Sequence, residues 1–153
     1  MNPSTLDVEL IHGADCCWDL DRWLPAGHVL SPARQQYLHT SEWIVVSKGS
    51  APVGFAAYRH ADGEIRVVHE LLLDLKLELS EARMVTEVLL ATLEMQALDD
   101  GITSLTFLLP NGVVIDPFQA RGYSSLVLDS MRVWLQRKLG WAGWCGGKAG
   151  VQQ

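Results

Sequence analysis

One segment limits the possible folds of this chain more than any other, because it combines a long helical repeat with strand-like runs on both sides. Val85, Leu89 and Leu93 recur every four residues, which predicts an amphipathic helix with one apolar face. Ser80 is suited to cap its start, and Gly101 is suited to follow its end. A strand, a long helix and a strand in this order predict a right-handed crossover between two parallel strands.

The segments before this helix predict an antiparallel part of the sheet. Residues 43–46, 53–58 and 64–73 have the composition of strands, and a turn signal at residues 49–52 separates the first two. A second turn signal at residues 60–63 precedes the third strand. Short turns between neighbouring strands are typical of a meander. We therefore expect a mixed α/β sheet with an antiparallel N-terminal meander and one parallel crossover.

Shorter elements are predicted around this core. Ser31 followed by Pro32 is a strong start signal for a helix, with a hydroxyl at the cap and proline in the first turn. Gln119 is placed for a capping box in a helix that begins at Asp116. The further predicted elements are a strand over residues 7–11, a helix from Asp15 that carries Trp18 and Trp23, a helix over residues 33–38, a strand over residues 102–109, a short helix from Asp116 and a strand over residues 127–135. We expect Trp18 and Trp23 to pack in the core.

The chain has the size of a single domain, since 153 residues suit one hydrophobic core. We assign residues 1–139 to this domain and residues 140–153 to a glycine-containing tail. Trp141 and Trp144 lie in the tail, and rings of this size are seldom left in water. We therefore expect both rings to be buried, either on the domain's own sheet or against a second copy of the chain in a homodimer.

The charge balance argues against several classes of function. A net charge of −6 disfavours nucleic acid as a partner, because phosphate binding draws on lysine and arginine. No apolar run is long enough to cross a membrane, and the N-terminus lacks the charged and apolar parts of a signal peptide. The three cysteines do not form a disulfide framework. We expect a cytoplasmic protein that binds neither nucleic acid nor membranes.

A metal site is not expected from the histidines and cysteines. None of the five histidines lies at the short helical spacing that zinc sites use, and no cysteine pair accompanies them. The histidines are His12, His28, His39, His60 and His69.

The order of the elements and two local patterns resemble the GCN5-related N-acetyltransferase (GNAT) superfamily. Residues 43–58 are similar to a hairpin of this family. Asn111, followed by Phe118-Gln119-Ala120-Arg121-Gly122-Tyr123, is similar to its closing pattern of Asn, then Tyr-x-x-x-Gly-Phe. The resemblance extends over residues 7–139 and implies the acyl-CoA N-acyltransferase fold, with acyl-CoA as cofactor and an amine as substrate.

The resemblance also implies where the cofactor would bind. Members of the family hold the pyrophosphate of acetyl-CoA with a loop of the form Arg/Gln-x-x-Gly-x-Gly/Ala before the long helix. Matching their Leu-Leu to Leu89-Leu90 places Met84 and Thr86 at the glycine positions, where Cβ atoms crowd the phosphates. Arg83 offers a phosphate contact that offsets part of this loss. We expect binding of acetyl-CoA or another acyl-CoA to be weak or absent. The resemblance places three more residues in the cofactor site: Leu71, Leu73 and Asn111.

The catalytic residues that the resemblance implies are only partly present. Many members protonate the leaving thiolate with a tyrosine, but Phe118 stands at that position and cannot donate a proton. Tyr123 falls where the family has phenylalanine, so we expect it to pack in the core. Adjacent residues of a strand face opposite sides, so one of His69 and Glu70 must face the substrate cleft. Glu70 is the candidate general base if it is the residue on that side. The alternative is that both are polar strand residues without a role in catalysis.

Two functions from different classes follow from these observations. The first is acyl transfer from acyl-CoA to an amine, with Glu70 or a bound water as the base. The second is a GNAT-like module that has lost this chemistry and acts by binding, either as a homodimer or on a protein partner. Intact sheet and helix signals beside an altered phosphate loop are what the second predicts.

Overall fold

Seven strands form one mixed sheet in the part of the chain that the structure describes. The computed structural model describes residues 5–13, 23, 31–59, 63–110, 115–127 and 132–139. The elements in chain order are β1 (Leu6–His12), α1 (Pro32–His39), β2 (Glu42–Lys48), β3 (Ala51–Tyr58), β4 (Ile65–Leu73), α2 (Leu79–Asp99), β5 (Ser104–Pro110), α3 (Asp116–Ala120), β6 (Ser124–Val127) and β7 (Arg132–Lys138). The strand order in the sheet is β1-β2-β3-β4-β5-β7-β6.

Strands β2 to β4 form the antiparallel meander that the short turns predict, and β1 pairs antiparallel with β2. The turn between β2 and β3 is shorter than residues 49–52, because β3 begins at Ala51. Gly49 has a φ of 64°, a left-handed conformation that glycine adopts without a steric penalty. The register shifts between Val46 and Ser47, next to Pro52. Proline has no N–H to donate to a ladder, so this irregularity lies where a regular ladder cannot form.

Helix α1 confirms the start signal, whereas α2 begins earlier than predicted. Ser31 caps α1, and its hydroxyl accepts a hydrogen bond from the backbone N–H of Arg34. The prediction that Ser80 caps α2 is wrong, because α2 begins at Leu79 after Glu78. Glu78 and Glu81 form a capping box in which each carboxylate faces the other residue's backbone N–H. A box built from two glutamates lacks the usual Ser or Thr, and the sequence reasoning overlooked it for that reason.

The predicted parallel crossover is confirmed. Strands β4 and β5 pair in parallel through only four residue pairs, from Ile65 with Ser104 to Val68 with Phe107. Beyond the last pair the two strands diverge, and β4 continues to Leu73 while β5 continues to Pro110. On its other side β5 pairs with β7 over its whole length.

The C-terminal elements correct two predictions. Helix α3 begins at Asp116, as predicted, but its cap is Ile115, which makes no side-chain cap bond. The capping box predicted with Gln119 is therefore wrong. The single strand predicted over residues 127–135 is divided between β6 and β7, which pair antiparallel. Strand β6 escaped the sequence reasoning because Ser124 and Ser125 show no apolar alternation.

The core has one cluster on each face of the sheet. The α2 face is the larger one and includes Leu89, Leu90 and Leu93, all fully buried. On the α1 face, Trp43 stacks on Phe55 with 4.4 Å between ring centroids. Trp23 packs into this second cluster and is buried, as predicted. Four predictions lie outside the described residues and stay predictions: the helix from Asp15, the burial of Trp18, the role of Asn111, and the burial of Trp141 and Trp144 in the tail.

Gly54 on β3 lies where α2 comes close to the sheet. A Cβ added there would lie 2.6 Å from Val85 Cγ1 and 2.9 Å from Leu73 Cδ2. We expect Gly54→Ala to lower the free energy of unfolding by about 1–3 kcal/mol, the usual cost of overpacking a core. Thermal unfolding measures this loss. Val85→Ala removes one opposing group, so the double variant should lose less stability than the two single variants combined. Additive losses would contradict this packing.

Candidate functional site

The opening between β4 and β5 is the candidate site. Over residues 69–73 β4 is paired with β3 on one side, and its pairing with β5 has ended. Residues 108–110 of β5 likewise have only β7 as a ladder partner among the described residues. Two strand edges therefore border a wedge, and within the described part of the chain the backbone polar groups along it have no β4–β5 ladder partners. Such groups are obligatory hydrogen-bonding groups and mark a place where an extended chain can bind.

A β-bulge places His69 at the start of this opening. Ala57 pairs with Glu70 and Tyr58 pairs with Val68, so His69 is the extra residue without a partner on β3. The expectation that His69 and Glu70 face opposite sides is wrong, because a bulge breaks the alternation of a strand. Both contact α1. The His69 ring meets the ring of Tyr37 edge-on at 5.7 Å, and His69 remains exposed.

Glu70 lies beside the opening as a buried and paired carboxylate. Glu70 is 6% exposed, and its two carboxylate oxygens accept hydrogen bonds of 2.5 Å from Nε and Nη2 of Arg34. The hydrogen bond with Glu70 raises the pKa of Arg34, and burial opposes it in part. A bidentate pair of this kind is strong and directional. Taking up a proton on Glu70 would break it, so the geometry fits a residue that joins β4 to α1.

Tyr37 and Arg59 complete the α1 side of the site. The guanidinium of Arg59 lies over the Tyr37 ring, 4.4 Å from its centroid, and donates a hydrogen bond to Thr40. Burial raises the pKa of the Tyr37 hydroxyl, and the charge of Arg59 opposes this shift. The sequence reasoning missed Arg34 and Tyr37. Their spacing of three residues on a helix with a strong start signal was the available clue, since it places both on one face.

Leu71 and Leu73, assigned to the cofactor by resemblance, both lie on β4 along the opening. Leu71 belongs to the core cluster on the α2 face, and Leu73 packs against it. Their side chains are therefore committed to the core. At the opening these two residues can contribute only their backbone N–H and C=O groups. Their role in cofactor binding therefore stays a prediction, and it concerns main-chain hydrogen bonds.

Met84 and Thr86 lie within α2 rather than in a loop before it. Thr86 is buried, and its hydroxyl donates a hydrogen bond of 2.7 Å to the carbonyl of Ala82. The Met84 side chain is 48% exposed. Interior helical N–H groups bond to carbonyls four residues earlier, so these positions do not present donors to a phosphate.

The basic side chains at this end of α2 are paired with carboxylates. Arg83 Nη2 lies 2.8 Å from Asp116 Oδ2, and both side chains are largely exposed. Lys48 Nζ on β2 lies 2.6 Å from Glu81 Oε2. The hydrogen bond from Lys48 lowers the pKa of Glu81. Arg83 is thus where a phosphate contact was predicted, but Asp116 already accepts from it.

Two cavities in the described part of the chain lie away from the opening. An apolar one of about 80 Å³ separates the start of α2 from β1 and β3, with Leu6, Val53 and Val85 in its wall. A more polar one of about 210 Å³ lies near the end of α2, beside His12, Glu42 and Asp100. Among the described residues no group of three His, Cys, Asp or Glu side chains could hold a metal ion. No helix there has the length and apolarity needed to span a membrane.

The closing pattern of the sequence lies in the core. Phe118 is fully buried and meets Phe107 edge-on. Tyr123 is buried as predicted, and its hydroxyl donates a hydrogen bond of 3.0 Å to Glu94 Oε2. Burial, with the nearby charge of Glu94, raises the pKa of this phenol far above its usual value. Tyr123 is therefore a poor proton donor to a thiolate.

The sequence matches no protein-family model, and it matches no curated protein. Several solved structures are similar to this protein in fold. An IAA acetyltransferase from Bacillus cereus superposes with a TM-score of 0.67 at 13% identity, over 88% of this chain and 100% of that chain. A GNAT family acetyltransferase from Elizabethkingia anophelis, with acetyl-CoA bound, gives 0.66 at 15% identity, over 88% and 98%.

A third similar structure is N-acetylglutamate synthase from Neisseria gonorrhoeae, complexed with coenzyme A and N-acetylglutamate. It gives a TM-score of 0.61 at 18% identity, over 88% of this chain and 35% of that chain. These structures share the mixed sheet, with one parallel pair, that the sequence predicted for this protein. The chain therefore has the fold of the GNAT acetyltransferases.

Proposed function

We propose that this protein transfers an acyl group from a thioester of the acyl-CoA type to an amine, at the opening between β4 and β5. The observation that carries the proposal is the early end of the β4–β5 ladder at Val68 and Phe107. The amide groups of a pantetheine arm match the unpaired strand edges, in the way that an extended peptide adds to a sheet. Similar solved structures include proteins named as acetyltransferases, one of which holds acetyl-CoA, and an N-acetylglutamate synthase that holds coenzyme A.

The reaction needs a base on the acceptor side of the opening. The amine nitrogen attacks the thioester carbonyl, the C–S bond breaks, and the amine proton passes to the base. Glu70 is the base that the sequence suggests, but Arg34 holds both its oxygens. His69 is exposed at the same place, and a neutral imidazole has a ring nitrogen that can accept a proton. We assign His69 as the base and Glu70 as a positioning residue. Water protonates the leaving thiolate, because Phe118 cannot.

One observation favours the second candidate, a binding module without this chemistry. The start of α2 is closed by the capping box of Glu78 and Glu81, so it offers little to a pyrophosphate. On this reading the protein acts as a homodimer or on a protein partner. The open edges of β4 and β5 are the reason to rank it second, because a module that only binds through other surfaces has no use for them.

A thiol-release assay tests the proposed function. The full chain is incubated with acetyl-CoA and a panel of primary amines, and free thiol is followed over time. We expect thiol release that depends on an amine, with acetyl-CoA acting as a weak donor. If calorimetry detects no binding of a thioester and the assay shows no amine-dependent thiol release, the proposal is contradicted and the binding module is favoured.

A variant that fills the opening sharpens this test. Leu108 lies on β5 just beyond the last β4–β5 pair and is partly exposed. We expect Leu108→Trp to abolish amine-dependent release while the protein stays folded. Leu98→Trp places the same ring on the exposed surface of α2 and should leave release unchanged. Equal rates for the two variants would remove the reaction from this opening.

A further inference from the structure

We propose that the donor of this protein is a pantetheine-type thioester whose binding gains nothing from a nucleotide. The opening between β4 and β5 holds the arm, and the start of α2 does not hold a pyrophosphate. This inference rests on the proposed function, since it names the class of donor that the same opening takes. It is carried by three observations at the start of α2.

The first observation is that the chain's own carboxylates occupy the helix terminus. The N–H of Glu81 faces the carboxylate of Glu78, and the N–H of Glu78 faces that of Glu81. The N–H of Ala82 is bonded to the carbonyl of Glu78. Free N–H groups and a positive dipole end are what make a helix start an anion site. Here two negative side chains already take that place.

The second observation is the charge around this terminus. Lys48 pairs with Glu81 and Arg83 pairs with Asp116, so two of the three cations near this terminus, the third being Lys76, already face carboxylates. A pyrophosphate would have to compete with these carboxylates and would lie beside Glu78. The negative charges of the pyrophosphate and of the Glu78 carboxylate would repel each other. The charged groups concerned are the carboxylates of Asp74, Glu78, Glu81 and Asp116 and the cations of Lys48, Lys76 and Arg83.

The third observation is that the two positions matched to the family's glycines lie in helix rather than in a loop. Met84 and Thr86 are in the second turn of α2, and Thr86 is bonded back to Ala82. A backbone that curls around a phosphate needs several N–H groups turned outward. A continuous helix turns them along its own axis. The pantetheine arm meets none of these obstacles, because its contacts lie on β4 and β5.

The chemistry does not require the nucleotide. A thioester and an amine give an amide and a free thiol, and the ADP part of CoA takes no part in either bond change. In a donor of this kind the nucleotide serves only for binding. A protein whose nucleotide contacts are absent can therefore use any donor that brings the same arm, either as a small molecule or attached to a carrier protein.

Two titrations of the full chain test the inference. The dissociation constants of S-acetylpantetheine and acetyl-CoA are measured by calorimetry in the same buffer. We expect the two values to agree within about threefold, since a nucleotide without contacts adds no affinity. Acetyl-CoA that binds at least tenfold more tightly would overturn this inference and leave the proposed function intact. If neither thioester binds, the proposed function fails, and this inference fails with it.

A third titration distinguishes the sources of the arm. A carrier protein with the same acetylated arm is measured beside S-acetylpantetheine. A dissociation constant at least tenfold lower would assign the donor to a carrier protein, and an equal value would assign it to a small thioester. Both results support a donor without a nucleotide.

The variant Glu81→Gln tests whether the carboxylates at the start of α2 are what excludes the nucleotide. It removes one carboxylate from the helix start and frees Lys48, so we expect acetyl-CoA to bind about three- to tenfold more tightly. The affinity for S-acetylpantetheine should not change. Glu87→Gln is the matched control, because Glu87 is exposed on the same helix outside its first turn. An acetyl-CoA affinity that is the same in Glu81→Gln and Glu87→Gln would show that these carboxylates do not exclude the nucleotide.

Discussion

Glu94→Ala should lower the free energy of unfolding by about 3 kcal/mol and Tm by about 6–12 °C. Glu94 on α2 is 6% exposed, and its carboxylate accepts hydrogen bonds from Arg121 at 2.6 and 3.0 Å and from Arg137 at 2.8 Å. Tyr123 donates a fourth. The substitution leaves a buried phenol without a partner. The two arginines are about one-third exposed, so water can reach them and the loss stays below that of a fully buried pair.

The loss should depend on pH in a definite direction. Burial raises the pKa of Glu94, but the hydrogen bonds from Arg121 and Tyr123 and the arginine charges outweigh it, so the pKa lies below its ordinary value. A carboxylate with a lowered pKa contributes its stability fully above the unfolded pKa of about 4.3 and loses it as the pH falls through the folded value. The stability difference between the wild type and Glu94→Gln should therefore be constant above about pH 5 and shrink below it.

Chemical denaturation at several pH values measures this difference. Glu87→Ala serves as the control, because it removes an exposed carboxylate from the same helix and should change stability by less than about 0.5 kcal/mol. Equal losses for Glu94→Ala and Glu87→Ala would mean that the Glu94 network contributes nothing measurable.

His69→Gln should lower kcat/KM for acyl transfer by about 100-fold, the lower range for loss of a general base. Glu70→Gln should act differently. It weakens the pair with Arg34, so Tm should fall, while kcat/KM should fall by less than about tenfold.

These two variants distinguish the roles of adjacent residues. If Glu70→Gln lowers kcat/KM by about 100-fold and His69→Gln by less than about tenfold, the base is Glu70, as the sequence alone suggests. Glu64→Gln provides the control, since Glu64 is exposed just before β4. Circular dichroism of each variant shows whether a lost rate reflects a lost fold.

The sequence predicted the architecture because its strongest signals are local. A four-residue apolar repeat gives α2, and short turns give the meander from β2 to β4. Where the local signal was weak, prediction failed. Ser124 and Ser125 begin a short edge strand without alternation, so the final hairpin was taken as a single strand. The start of α2 was misplaced because a glutamate performs the capping that serine performs more often.

The candidate site could be predicted only in part, because its geometry depends on distant pairings. Glu70 was placed on the correct strand, but its partner Arg34 lies 36 residues earlier. The bulge at His69 is a relation between β3 and β4, and nothing in the sequence of β4 alone reveals it. The sequence showed that Met84 and Thr86 stand at the positions matched to the glycines of the phosphate loop. It did not show that these positions are helical, because that depends on where α2 begins.

The short ladder between β4 and β5 also has a mechanical consequence. Strands β1 to β4 form one half of the sheet and β5 to β7 the other, with four residue pairs across the junction where the pairing of β5 with β7 has seven. The two halves of the sheet are therefore joined by few ladder pairs, and the core cluster that includes α2 contains residues of both halves. A chain-like ligand in the wedge adds rungs at this junction. While it is bound, such a donor stiffens the domain as an eighth strand would.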